Sequence, residues 1–153
     1  MSNFRQDANR RQTFLFFLAQ EVHDEERQLV GKMVEQLSTS RTWVVGAPQF
    51  IDTVEHDGIR AGDLPTDTVG GAHEIYSALI PDGIPHEIDA IHLDEIEYIV
   101  DFVRRVSLEY GLEFEFELDG LYVGTVEDGV VDTTLAKGLI EEWRHRISHD
   151  RLS

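Results

Sequence analysis

Between residues 112 and 119 the chain alternates without a break: Leu112, Phe114, Phe116 and Leu118 are apolar, while Glu113, Glu115, Glu117 and Asp119 are acidic. A period of two places the two sets on opposite faces of a β-strand, so this segment belongs in a sheet with one buried and one solvated face. Asp119-Gly120 follows at once, the pair preferred in a two-residue hairpin turn. Closing that turn between Leu118 and Leu121 sets the register: Glu117 faces Tyr122, Phe116 faces Val123, and Phe114 faces Thr125.

Other elements follow from their own periods. Residues 12–20 form a nearly continuous aromatic and aliphatic run, expected to be a strand buried on both faces, with a helix continuing into the next segment as the alternative that periodicity does not separate in so short a run. Leu29, Val30, Met33, Val34 and Leu37 recur at helical spacing behind Glu25 and Glu26, which suit the positive end of a helix over 24–37. Thr42 to Val45 and Phe50 to Val54 read as a second strand, bent or broken at Gly46 and Pro48. Residues 56–71, with four glycines and Pro65, read as a loop, and His73 to Ile80 as a strand stopped by Pro81, Gly83 and Pro85. Ile96, Ile99, Val100, Val103 and Val106 mark a helix over 94–110, with Gly111 as its left-handed cap. A turn at 127–129 precedes a last helix with Asp132 as N-cap and Leu135, Leu139, Ile140, Trp143 and Ile147 as its buried side.

The resulting order is strand, helix, strand, strand, helix, strand, then an added strand and helix. The first six elements match the split βαβ pattern of ferredoxin-like domains. The expectation is one α+β domain over 1–153, with 1–10 and 150–153 loosely held. Its antiparallel or mixed sheet has about five strands, helices on one face, and the aromatic first strand at the centre.

Charge narrows the partners. Against 30 Asp and Glu stand 13 Lys and Arg, of which only Lys32 and Lys137 are lysines, and the net charge is -17. Such a surface repels nucleic-acid backbones and anionic membranes and favours basic partners. Life in a salty cytoplasm, or an arginine-favouring high-GC genome, would produce the same imbalance without a partner. With no cysteine there is no disulfide, thiolate nucleophile or cysteine-bound zinc. No apolar run approaches the ~18 residues of a membrane span, and the apolar stretch 14–19 leads into charge rather than a cleavage site, so a cytoplasmic location is expected.

Glu113, Glu115 and Glu117 lie about 6.8 Å apart along one strand face, twice the rise per residue. That is too wide for neighbouring members to grip one small cation without a third group, but it suits a row of separate arginine or lysine contacts, or imitation of a phosphate backbone. The plain alternative is a solvated face that guards the sheet against edge pairing. Tyr122, opposite Glu117, adds an interface-type aromatic, and Asp119 extends the acidic row. His86, Glu87, Asp89 and His92 form the densest cluster of metal-ligating types, yet His86 and His92 are six apart rather than the i, i+4 of helical zinc sites, no HExxH motif occurs, and His145 with His149 reads as a charged helix end. No nucleophile elbow, Walker sequence or dinucleotide turn occurs, and Ser107 has no evident histidine partner. The pattern points away from an enzyme and calls for no cofactor.

The block LEFEFELDGLYVGTVEDGVVDTTLAKGLIEEW, residues 112–143, resembles the C-terminal part of small bacterial proteins in which a D-G hairpin and a G-L-x-x-E-W helix recur. In size, acidity, lack of cysteine and carboxylate face, the chain is also similar to immunity proteins of bacterial toxin systems. That resemblance implies a protein that neutralises a toxin, often a basic nuclease, by covering its working surface, and it carries no functional residue across. The expected contact set is Glu113, Glu115, Glu117, Asp119 and Tyr122. The alternatives are a housekeeping or structural domain, and a metal-assisted hydrolase around His86, Asp89 and His92.

Overall fold

The computed structural model describes residues 11–55, 66–76 and 86–152. Among the described residues six strands form one antiparallel sheet: β1 (Gln12–Leu18), β2 (Gln49–Glu55), β3 (Thr66–Ile75), β4 (Glu113–Leu118), β5 (Leu121–Glu127) and β6 (Val130–Val131). They lie in the order β2-β3-β1-β4-β5-β6, which puts the aromatic β1 in the interior, bonded to β3 on one side and β4 on the other. Helices α1 (Asp24–Thr39), α2 (His86–Tyr110) and α3 (Glu142–Leu152) complete the α+β architecture, the last preceded by a π-helical segment, Thr134–Glu141. No described helix is long and apolar enough to cross a membrane.

The core forms where aromatic strands meet helices. Phe14, Phe16, Phe114 and Phe116 are fully buried, with ring centroids 5.5 Å apart for Phe14–Phe116 and 6.1 Å for Phe16–Phe116. Val30, Val34 and Leu37 of α1, Ile96, Ile99 and Val103 of α2, and Leu135 and Trp143 close over this face. Strand β1 is buried on that side only: its outward residues Thr13, Leu15 and Phe17 are half-buried, where burial on both faces was expected.

Both Asp-Gly turns behave as their chemistry requires. Asp119 and Gly120 have φ of 54° and 85°, and Asp128 and Gly129 have 50° and 77°, the paired left-handed geometry that matches strand twist in two-residue hairpins. The second turn folds back β6 rather than leading straight to a helix, which brings the sheet to six strands instead of about five. Gly111, at φ 67°, caps α2, and the Leu112 N–H donates to Ser107 O at 3.1 Å. Asp132 caps the next helical run as expected, its Oδ1 accepting from the Leu135 N–H at 2.9 Å.

Four sequence expectations shift. The register Glu117–Tyr122 holds, but a β-bulge follows, pairing Phe116 with Gly124 and Phe114 with Val126. The extra residue sends fully buried Val126, not Thr125, into the core. Gly124 permits this, since a Cβ there would strike Asp132 and Leu135 at 2.5–2.7 Å. Strand β3 begins at Thr66 and runs through Gly70 and Gly71, inside the expected loop; 56–65 and 77–85 lie outside the described residues. Residues 42–45 are not a strand and only Gln49–Glu55 pairs. Helix α2 starts eight residues before the expected 94, at His86.

Candidate functional site

The carboxylate row lies where alternation sends it, on the sheet face opposite Phe114, Phe116 and Leu118, and each glutamate is half-buried. Two rows of paired residues cross this face. One runs Gln49, Ala72, Leu15, Glu117, Tyr122; the next runs Ile51, Gly70, Phe17, Glu115, Thr125. The acidic strand is therefore flanked on one side by an apolar strip, Ile51, Leu15 and Phe17, and on the other by Tyr122. Glu113 pairs with Glu127 and takes the Gln20 side-chain oxygen on its backbone N–H at 2.9 Å.

Electrostatically the row is under tension. Partial burial pushes the Glu115 carboxyl above its ordinary range, and repulsion from Glu117 and Glu113 pushes it further the same way. Tyr122 is 52% exposed, and its hydroxyl points to Asp132 Oδ2 at 3.4 Å. Burial and the Asp132 charge raise the phenol above its ordinary value. Asp119 stands apart: it is exposed at the hairpin tip in left-handed geometry and serves the turn. Four of the five expected contact residues thus share a surface, and the fifth sits at its end.

Among the described side chains the metal-type cluster does not assemble. Glu87 is exposed, and the His86 side chain lies outside the described residues. Asp89 is buried against α3, accepting from Trp143 Nε1–H at 2.8 Å and from Arg146 Nη2 at 3.3 Å. His92 points to β3, where its Nε2 accepts the Tyr76 N–H at 3.2 Å. Among the described residues no group of three imidazoles or carboxylates could hold a metal ion. Ser107 is structural: its hydroxyl donates to Leu112 O at 2.7 Å and accepts from the Gly129 N–H at 3.1 Å.

Sequence reasoning missed a buried polar centre. Glu95, His73 and His92 are almost wholly inaccessible inside the core. His73 Nε2 lies 2.8 Å from Glu95 Oε1, and the Val44 N–H donates to Oε2 at 2.8 Å. His92 Nδ1 stands 3.8 Å from Oε1, long for a hydrogen bond but close enough for its N–H to favour the anion. Burial alone would raise the Glu95 carboxyl; the hydrogen bonds from His73 and the Val44 N–H, with the His92 ring close by, outweigh it and hold the group at about 2. Trp43 closes the centre edge-on over His73, with ring centroids 4.9 Å apart, and its Nε1–H donates to Ser38 O at 3.0 Å. The centre clamps the connection after α1 to β3 and α2. The only sequence signal for it is the i, i+3, i+6 spacing of Asp89, His92 and Glu95, which reads as a polar helix face.

A groove of about 410 Å³ between α2 and the π-helical segment has Val100, Val131 and Ile140 along its floor. Four of the charges around it pair with one another, Arg144 with Glu97 at 2.6 Å and Arg104 with Asp101 at 3.0 Å, and Lys137 and Glu141 add one charge of each sign. The acidic sheet face is therefore the stronger candidate. No protein-family model, curated protein or solved structure matches this chain.

Proposed function

We propose that this protein is a binding module, an acidic cytosolic inhibitor of the immunity type that docks a basic protein, such as a toxin or nuclease, through its carboxylate-bearing sheet face. The supporting observation is the placement of Glu113, Glu115 and Glu117, half-buried on the side of the sheet away from the helix-packed core and bordered by Tyr122. Half-burial matters because such carboxylates interact through a lower dielectric than fully solvated ones. Self-repulsion within the row is relieved when a partner brings cations. Electrostatic attraction of this kind acts chiefly on the association rate.

We read the first six elements as a ferredoxin-like core, extended by the β5–β6 hairpin and the last helix. The strand order β2-β3-β1-β4, with every neighbouring pair antiparallel, supports that reading.

The test compares wild type with the triple variant E113Q/E115Q/E117Q in capture from native lysate, then measures association of the captured protein across salt. Wild type should associate about tenfold faster at low salt than the variant, with a steeper salt dependence. Equal capture and equal rates for the two would refute the face as the docking site.

A further inference from the structure

We infer that the partner element received by this face is a basic amphipathic α-helix, laid along the seam between β1 and β4 with its apolar side on Leu15 and Phe17 and its arginines or lysines over Glu115 and Glu117. The inference deepens the docking reading and rests on it. It starts from a mismatch of chemistry on the surface. A sheet face meant only for water carries polar residues throughout. Here the cross-strand partners of the glutamates are Leu15 and Phe17, and Ile51 continues the apolar strip beyond Gly70. A purely charged partner would leave that strip uncovered, and a purely apolar one would strand the carboxylates.

The dimensions select a helix. Strands lie about 4.8 Å apart, so a helix about 10 Å across covers two to three of them, enough to touch the apolar strand and the acidic strand together. Residues four apart on a helix rise about 6.0 Å, close to the about 6.8 Å between alternate residues of a strand. Basic residues at i, i+4 and i+8 therefore keep step with Glu113, Glu115 and Glu117, while the adjoining i+3 and i+7 positions face Leu15 and Phe17. The same sheet already receives α1 and α2 on its opposite face, so the bound state is a three-layer arrangement with the sheet in the middle. Glu115, whose charge is disfavoured by partial burial and then by its two acidic neighbours, lies at the middle of the row, where an approaching guanidinium relieves both.

Two synthetic peptides of identical leucine, alanine and arginine content separate the possibilities. One has the residues ordered as an amphipathic helix, the other scrambled to destroy the stripe. Fluorescence anisotropy with full-length protein should give about tenfold tighter binding for the ordered peptide, the scale of burying one or two apolar side chains. Phe17→Ser should abolish that preference while leaving the weak scrambled-peptide binding unchanged. E113Q/E115Q/E117Q should weaken both. Leu15→Thr serves as a second probe of the strip should Phe17→Ser fail to fold, as judged by circular dichroism. Equal binding of the two peptides by wild type would overturn the helix inference and leave the charge reading standing; binding of neither would overturn both. Self-association abolished by Leu15→Thr would assign the strip to a second copy of the chain and overturn the inference.

Discussion

Phe16 stacks its ring over Gly71 on the neighbouring strand, in the space a side chain at position 71 would need. The carbonyl of Phe16 makes the same demand on Gly70. This is why two adjacent glycines sit inside a strand at the centre of the sheet. Gly71→Ala should destabilise the fold by about 1–3 kcal/mol, the cost of overpacking a filled core, measured by chemical denaturation. Phe16→Leu in the same background should recover part of the loss, and strict additivity of the two changes would refute the contact.

Glu95 gives acid stability a defined sign. Its folded carboxyl titrates at about 2 against an ordinary 4.5, so the unfolded chain takes up the proton first. The stabilisation is complete above about pH 4.5 and is lost as pH falls through the folded value near 2. Glu95→Gln should cost about 3 kcal/mol at neutral pH and flatten this part of the stability–pH curve, since it strips a buried network of its charged acceptor. An unaltered acid limb in the variant would assign the pH dependence to other carboxylates.

The opposite sign holds at Glu115. A carboxyl raised in the folded state opposes folding when ionised, and the penalty disappears as pH falls through the raised value. Glu115→Gln should therefore stabilise the protein by about 0.5 kcal/mol at pH 7, the scale of partly solvated charge interactions, and do nothing in acid. The same change should slow association with a basic partner. A variant both less stable and unimpaired in binding would contradict the placement of Glu115 in a functional row.

Asp89 ties the last helix to α2 through Trp143 and Arg146. Asp89→Ala leaves a buried indole N–H and a partly buried guanidinium without their acceptor, at a cost of about 3 kcal/mol. Hydrogen exchange should quicken first in Glu142–Leu152, and uniform quickening across the sheet would refute a local clamp.

Salt distinguishes a charge that recognises from one that only dissolves. A binding module keeps its fold at low ionic strength and loses partner affinity as salt rises, whereas an acidic chain adapted to brine unfolds at low salt through self-repulsion. Thermal unfolding between about 10 mM and 1 M sodium chloride, a range over which the screening length falls about tenfold, reads this directly.

Local chemistry determined much of this molecule without help from the fold. The alternation from Leu112 to Asp119 set the acidic face, the two Asp-Gly pairs set the hairpin turns, Gly111 and Asp132 set helix boundaries, and spacing marked the apolar sides of the helices. These features depend on backbone sterics and side-chain period, which act between near neighbours. What only the tertiary structure decided lies where distant segments meet. Gly70 and Gly71 look like loop residues until Phe16 occupies the space above them. The start of α2 is hidden because Asp89 and His92 turn inward, as Glu95 does after them, to meet Trp143, Tyr76 and His73, partners that no spacing rule connects. The bulge at Gly124 depends on where Asp132 and Leu135 arrive, and the apolar border of the glutamate row appears only once β1 pairs with β4. A buried polar group or a missing side chain is intelligible only beside its neighbour, and folding chooses that neighbour.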